Sequence, residues 1–403
     1  MMFDSKLVDK FGSIKTPFYY YDISLLRKTL QEISDISKKN NYVVHYAFKA
    51  NTNDRILKTI KEYGLGADCV SGNEVKRALE IGFSPNHIVF AGVGKTDDEI
   101  EVGLNSNIFC FNCESGQELQ VINDLAGKNN KKVRVALRLN PNVDAGAHHH
   151  TTTGLEDNKF GISLSELPEI MELAKVCKNI ELIGIHFHIG SGTNGLTSFK
   201  HLCVKVNEIQ KWFLSHNIRL SHVNVGGGLG VDYRHPDEKP VAEFREYFNI
   251  FHQFLERRPG QQVHFELGRS IVASCGDLIT RVLYIKKRPH INFVIVDAGM
   301  NDLIRPMLYQ AYHKIENISK SEAGSHLPAG KAGKTEVQYD IVGPICESTD
   351  CFQKAVTLPE TNRGDLVAIR TVGAYGEVMS SNYNLREKAK ALYSDELMYT
   401  KPT

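Results

Sequence analysis

From residue 43 to residue 267 the chain repeats one pattern eight times: a short apolar run suited to a buried strand, then, after the first seven, a longer segment of helical periodicity. The runs are Val43–Phe48, Ala67–Val70, His87–Ala91, Ile108–Asn112, Lys132–Asn140, Leu182–His188, His222–Val225 and Val263–Leu267. Such alternation calls for parallel strands joined by crossover helices rather than hairpins. Asp54–Tyr63, which opens on an Asp cap, Gly72–Ile81, Ser115–Ala126 and Thr197–His216 are four of the expected helices. Eight units in roughly 230 residues predict a (β/α)8 barrel. A doubly wound open sheet is the alternative, yet its phosphate loop belongs after the first strand, and the glycine cluster here, Gly226–Gly230, comes late.

Beyond about residue 270 the texture changes. Ile271–Lys286, Asn292–Val296, Val337–Val342 and Asp365–Thr371 are β-branched or apolar runs separated by turn residues, so a mainly β second domain is expected. The stretch Ser319–Thr335, rich in Ser, Gly, Ala and Lys, reads as a surface insertion. A chain of 403 residues is long enough for two cores. With 42% hydrophobic and 24% charged residues it is a globular chain, which excludes a largely disordered or collagen-like polymer. Lys and Arg number 48 against 47 Asp and Glu, so no overall field recommends nucleic acid or an anionic membrane as partner. Anion binding must come from local pockets. No apolar run nears the ~18 residues that span a bilayer and the start lacks a signal-like segment, so a cytoplasmic protein is expected. The eight cysteines are scattered, which argues against a disulfide framework, and Cys110-Phe111-Asn112-Cys113 is a lone C-x-x-C without the second pair a zinc site needs.

A barrel places its chemistry just beyond the C-terminal ends of its strands. Lys49 follows the first strand, Asp68 sits in the second, His188 closes the sixth, Gly226, Gly227 and Gly228 follow the seventh, and Glu266 lies near the end of the eighth. A lysine at the end of an apolar strand is partly desolvated, which lowers its pKa and leaves an amine able to condense with an aldehyde; an exposed strand-end lysine is the plain alternative. The glycine run exposes backbone amides that can approach phosphate oxygens, and Ser191 could add a hydroxyl; a simple turn has equal claim. A carboxylate on a barrel strand should face a cation, and a pyridinium nitrogen would suit Glu266. His186 and His188 share a side of their strand by period-two alternation and could stack on an aromatic ring or ligate a metal, for which no third ligand is identifiable. The triple His148-His149-His150 reads as a polar loop, so no metal is assigned.

With these residues in place, the sequence resembles the fold-type III pyridoxal-phosphate decarboxylases over nearly its whole length. The resemblance is carried by Tyr46-Ala47-Phe48-Lys49-Ala50-Asn51, Asn140-Pro141-Asn142-Val143-Asp144-Ala145-Gly146, Asn158-Lys159-Phe160-Gly161, His186-Phe187-His188-Ile189-Gly190-Ser191, Gly226–Gly230 and Glu266-Leu267-Gly268-Arg269. In the second half it continues through Asp297-Ala298-Gly299-Met300, Arg305-Pro306-Met307-Leu308-Tyr309, Gly343-Pro344-Ile345-Cys346-Glu347-Ser348 and Gly373-Ala374-Tyr375-Gly376. It implies an α/β plus β fold: an alanine-racemase-like (β/α)8 barrel over residues 30–270, and a mainly β domain from residues 1–29 and 271–403. A homodimer with active sites shared between subunits is implied as well.

By the same resemblance Lys49 holds the aldehyde of pyridoxal 5'-phosphate, His188 stacks on its ring and Glu266 faces the pyridine nitrogen. Asp68, Ser191, Gly226, Gly227, Gly228, Gly268, Arg269 and Tyr375 complete the cofactor site. Cys346 and Glu347 reach into the neighbouring subunit's site, and Arg269, Arg305, Tyr309 and Tyr375 hold substrate. A carboxylate at the ring nitrogen favours decarboxylation over racemisation, for which relatives of this fold place an arginine there. Two arginines for a distal carboxylate favour meso-2,6-diaminopimelate over ornithine or arginine, so the implied reaction gives L-lysine and carbon dioxide. A non-catalytic relative that regulates an active partner is the alternative of another class; Lys49 and Cys346 argue against it. Leu267, Gly192 and Thr349 depart from the family's usual proline, glutamine and glycine without removing a proposed catalytic group.

Overall fold

The computed structural model describes residues 3–143, 158–192, 195–320 and 335–399. The chain divides into two compact units, one of Met1–Lys28, Val231–Val241 and Val272–Thr403, the other of Thr29–Gly230 and Ala242–Ile271. The loop bearing His148–His150 and nearly all of the Ser319–Thr335 insertion lie outside the described residues.

Strand β1 (Phe18–Tyr21) belongs to the first of these units, and the barrel strands that follow it belong to the second. Next come β2 (Tyr42–Ala47), β3 (Gly66–Cys69), β4 (Ile88–Phe90), β5 (Cys110–Cys113), β6 (Val133–Arg138), β7 (Ile180–His186), β8 (His222–Asn224) and β9 (Gln262–Leu267). These eight pair in parallel in chain order, and β9 returns to β2, so the sheet is closed and the open-sheet alternative falls. Three successive strand-to-helix loops use one device to start their helices. Ser71, Thr96 and Ser115 each accept a hydrogen bond from the backbone N–H of a glutamate three residues on, satisfying a donor that the first helical turn leaves orphaned.

Three local expectations need correction. The helix expected to open on Asp54 is capped by Asn53, whose side chain accepts from Arg55 N, because Asp54 already has helical geometry. His188 does not close its strand; β7 ends at His186, and His188 lies two residues beyond. Ile271 and Val272 belong to a short helix, Arg269–Val272, rather than to the strand that follows.

Along the barrel strands outward residues are apolar and pack on helices: Phe265 meets the rings of Tyr247, Phe248 and Phe251 at 5.8, 4.8 and 5.0 Å. Inward residues are largely polar. In the lower interior His45 Nδ1 donates to the His87 carbonyl (3.1 Å), and its Nε2 lies 2.9 Å from His264 Nδ1. The His264 ring stands 4.0 Å from His222 and lies parallel to Phe109 at 5.5 Å. Gly184 permits this crowding, since a Cβ there would fall 2.0 Å from the His222 carbonyl oxygen.

The other unit holds an eight-stranded sheet. Its strands are β1, β10 (Gly276–Arg288), β11 (Ile291–Val296), β12 (Ile315–Asn317), β13 (Glu336–Val342), β14 (Cys351–Pro359), β15 (Leu366–Ile369) and β16 (Lys390–Tyr393). β1 pairs antiparallel with β10 and parallel with β16. Phe3, Phe11, Phe18 and Tyr20 from the N-terminal segment share a core with Ile279, Ile318 and Leu366. All eight cysteines are unpaired thiols, six of them buried. No helix among the described residues is long and apolar enough to cross a membrane.

Candidate active site

Lys49 sits in a single 3-10 turn, Phe48–Ala50, directly after β2, and its Nζ lies 3.3 Å from Asp68 Oδ2 on β3. Asp68 is fully buried, and its Oδ1 has no hydrogen-bond partner among the described residues. Burial first, and the Glu266 charge second, push its carboxyl up to about 6, with Lys49 opposing them. The two residues thus form a half-open ion pair at the top of the barrel.

Glu266 is the focus of the interior. Its Oε1 accepts from Asn112 Nδ2 (3.0 Å) and Asn224 Nδ2 (2.7 Å), and its Oε2 from His186 Nε2 (2.8 Å). Burial holds the His186 imidazole down to about 3, so the ring is neutral and donates an ordinary N–H. All three donors are therefore uncharged. Burial raises the Glu266 carboxyl while Lys49, the hydrogen bond from Asn224 and nearby cations pull it back.

The glycine turn is bound to this carboxylate's strand. Asn224 Oδ1 accepts from Gly226 N (2.9 Å), Glu266 N donates to the Gly226 carbonyl (2.8 Å), and Gly227 N lies 3.3 Å from His188 Nδ1. A Cβ on Gly227 would sit 1.9 Å from the Glu266 carbonyl oxygen, and one on Gly226 would sit 2.2 Å from that of Phe187. Only glycine fits at these two positions. Arg269 Nε donates to Ser191 Oγ at 3.0 Å, and Gly268 packs against Ala47 and Ala50, where a Cβ would come within 3.0 Å. His188 is partly exposed, and burial and the Lys49 charge hold its ring well below the usual imidazole range, hence neutral.

In the other unit Arg305 opens the helix Arg305–Tyr309 and is buried. Its Nη1 donates to His313 Nε2 (2.9 Å) and Tyr233 Oη (3.3 Å), and no carboxylate among the described residues lies within ion-pairing distance. Tyr309 is half-buried at the end of that helix. Arg370 in the same unit, equally buried, has three carboxylates, Asp277, Glu316 and Asp237. Cys346 and Glu347 are exposed; Cys346 N donates to Asn384 Oδ1 at 3.1 Å, and Tyr383 donates to Glu347. Tyr375 holds a left-handed backbone (φ 57°) between Gly373 and Gly376, where a Cβ would fall 1.9 Å from the Val272 carbonyl oxygen and 2.4 Å from that of Val372.

Residues 25–273 match the pyridoxal-dependent decarboxylase family, in its pyridoxal binding domain. The chain is 51% identical over 392 residues to a diaminopimelate decarboxylase of Bacteroides thetaiotaomicron, covering 97% of this chain and 98% of that one. To the Pseudomonas aeruginosa protein of the same name it is 39% identical over 391 residues, covering 97% and 90%. A crystal structure of diaminopimelate decarboxylase from Helicobacter pylori complexed with L-lysine superposes with a TM-score of 0.85 at 40% identity, covering 96% and 94%. The chain belongs to the diaminopimelate decarboxylase family.

The residues present suit the cofactor that gives pyridoxal-dependent decarboxylases their name. The barrel offers a primary amine, a buried carboxylate fixed by neutral donors, a close-packed turn that only glycine fits, and a hydroxyl beside a guanidinium. Sequence reasoning missed Asn112 and Asn224, and it read His186 as a ring stacker or metal ligand rather than a donor to Glu266. The signal was available: β5, β7, β8 and β9 carry Asn112, His186, Asn224 and Glu266 among apolar neighbours, all facing inward. A polar group there is costly unless partnered, so four together imply a network. The Arg305, Tyr233 and His313 cluster had no such signal, since it joins segments 72 residues apart.

Proposed function

We propose that this chain removes carbon dioxide from meso-2,6-diaminopimelate to leave L-lysine, with pyridoxal 5'-phosphate as its resident cofactor. When bound, that group supplies an electron sink for the pair released as the carboxylate leaves. Lys49 would hold it covalently, with Asp68 beside the amine. The glycine turn of Gly226, Gly227 and Gly228, the Ser191 hydroxyl, Gly268, Arg269 and Tyr375 would line its phosphate, and the neutral His188 ring would lie on its face. Glu266, fixed in place by three donors, would keep a proton on the ring nitrogen. Cys346 would deliver a proton to the carbon that loses carbon dioxide, and Glu347 would meet the distal ammonium.

The observation that carries the substrate choice is Arg305. A buried guanidinium with only neutral partners is expensive, and Arg370 shows how the same unit satisfies such a group when its role is internal. Arg305, with Tyr309 of the same short helix, is thus suited to a carboxylate brought from outside, the distal one of diaminopimelate. Ornithine and arginine lack it. A homodimer with shared sites is supported by the exposure of Cys346 and Glu347 next to Tyr383 and Leu385, the latter 96% exposed. The test is carbon dioxide release by the holoenzyme from meso-diaminopimelate, ornithine and arginine. Release from diaminopimelate alone is expected; an intact diaminopimelate with cofactor saturating would overturn the proposal.

A further inference from the structure

The two groups that hold Arg305 carry a specificity device. His313 Nδ1 lies 2.9 Å from the Arg370 carbonyl oxygen, which can only accept, so Nδ1 carries the ring proton. Nε2 therefore presents its lone pair to Arg305 Nη1, 2.9 Å away. Tyr233 adds its hydroxyl to the same Nη1, its ring lies 5.3 Å from the guanidinium carbon, and it meets the His313 ring edge to face at 5.2 Å. The carbonyl that sets the tautomer is itself immobile. Arg370 N donates to the Lys314 carbonyl at 2.9 Å, and its side chain is bound by Asp277, Glu316 and Asp237. One nitrogen of Arg305 is thereby committed to neutral partners, while Nε and Nη2 make no hydrogen bond among the described residues and keep the fork that matches a carboxylate.

We propose that His313, supported by Tyr233, is a positioning residue that determines specificity: its Nδ1-protonated tautomer aims the free edge of Arg305 at the carboxylate distal to the reacting carbon. This rests on the reading of Arg305 given above. His313 would touch neither substrate nor cofactor, so its loss should weaken substrate binding and spare the chemical step.

Holoenzymes carrying His313→Leu, His313→Gln, Tyr233→Phe, Arg305→Ala and the double change His313→Leu with Arg305→Ala are assayed for kcat and KM on meso-diaminopimelate. Loss of a hydrogen bond to a charged group predicts a KM about tenfold higher for His313→Leu, with kcat within about twofold of wild type. His313→Gln, whose amide oxygen can accept from Arg305, should recover most of the loss, and Tyr233→Phe should raise KM about threefold. In the double variant the His313 change should add nothing to the effect of Arg305→Ala. Wild-type KM in His313→Leu overturns the positioning role, as does a fall in kcat at unchanged KM. Should His313→Leu not fold, Tyr233→Phe decides by the same criteria. An Arg305→Ala enzyme with wild-type KM instead overturns the reading of Arg305 itself.

Discussion

At the scale of single residues the site depends on how few groups in the barrel interior are charged. Lys49 and Asp68 form one pair, Glu266 is a lone carboxylate among neutral donors, and His186 and His188 are held neutral by burial. Each polar group has its state set by neighbours rather than by solvent. Lys49→Ala should therefore abolish turnover and allow the cofactor to be removed by dialysis, while the fold survives, because the side chain is half-open. Cofactor absorbance after dialysis and a circular dichroism spectrum check both halves. Lys49, Asp68, Glu266 and the glycines were legible in the sequence because strand ends in a barrel are known reaction sites and their residue types are chemically distinctive. Asn112 and Asn224 were not, since an amide in a strand has no fixed meaning until its partner is known.

At the scale of elements the turn after β8 matters most. Gly226 to Gly228 must approach both β7 and β9, and Gly227 does so at a distance no side chain tolerates. Gly227→Ala should destabilise the protein by about 1–3 kcal/mol, as overpacking does, and weaken cofactor binding more than it alters kcat at saturating cofactor. Urea unfolding and cofactor titration measure the two effects. The eight barrel strands could be read within two residues because apolar runs bounded by turn residues are strong local signals. Their inward residues were harder to interpret. Parallel barrel strands are apolar on the outside whatever they enclose, so the periodicity reports burial and not the polarity of the interior.

At the scale of the whole molecule the neutral histidines make the fold sensitive to acid. Neither ring nitrogen of His222 has a partner among the described residues, and burial holds its pKa down to about 3 from 6.5. The unfolded chain takes up a proton near pH 6.5 and the folded chain does not until about pH 3, so stability is lost as pH falls between them. His222→Leu removes that proton uptake, and should leave the protein about 2 kcal/mol less sensitive between pH 6.5 and 5, at about 1.36 kcal/mol per pH unit. Urea midpoints at the two pH values for wild type and variant decide the matter. The proposed sharing of sites makes a second prediction: mixing Lys49→Ala and Cys346→Ala proteins should restore about a quarter of wild-type activity at statistical exchange of subunits. Inactive mixtures in which exchange is demonstrated would argue for self-contained subunits.

The place of β1 has a consequence for biogenesis. Both of its neighbours come after the whole barrel in the chain, β10 first and β16 much later, the second ending at Tyr393. During translation the aromatic segment around Phe11 and Phe18 must therefore wait, unpaired, until the barrel strands and then β10 have been made, and it lacks its second neighbour until some 370 residues beyond it have left the ribosome. A nascent chain halted before β16 would carry a finished barrel and a leader still missing one of its two neighbouring strands, which makes that leader the segment most in need of a chaperone.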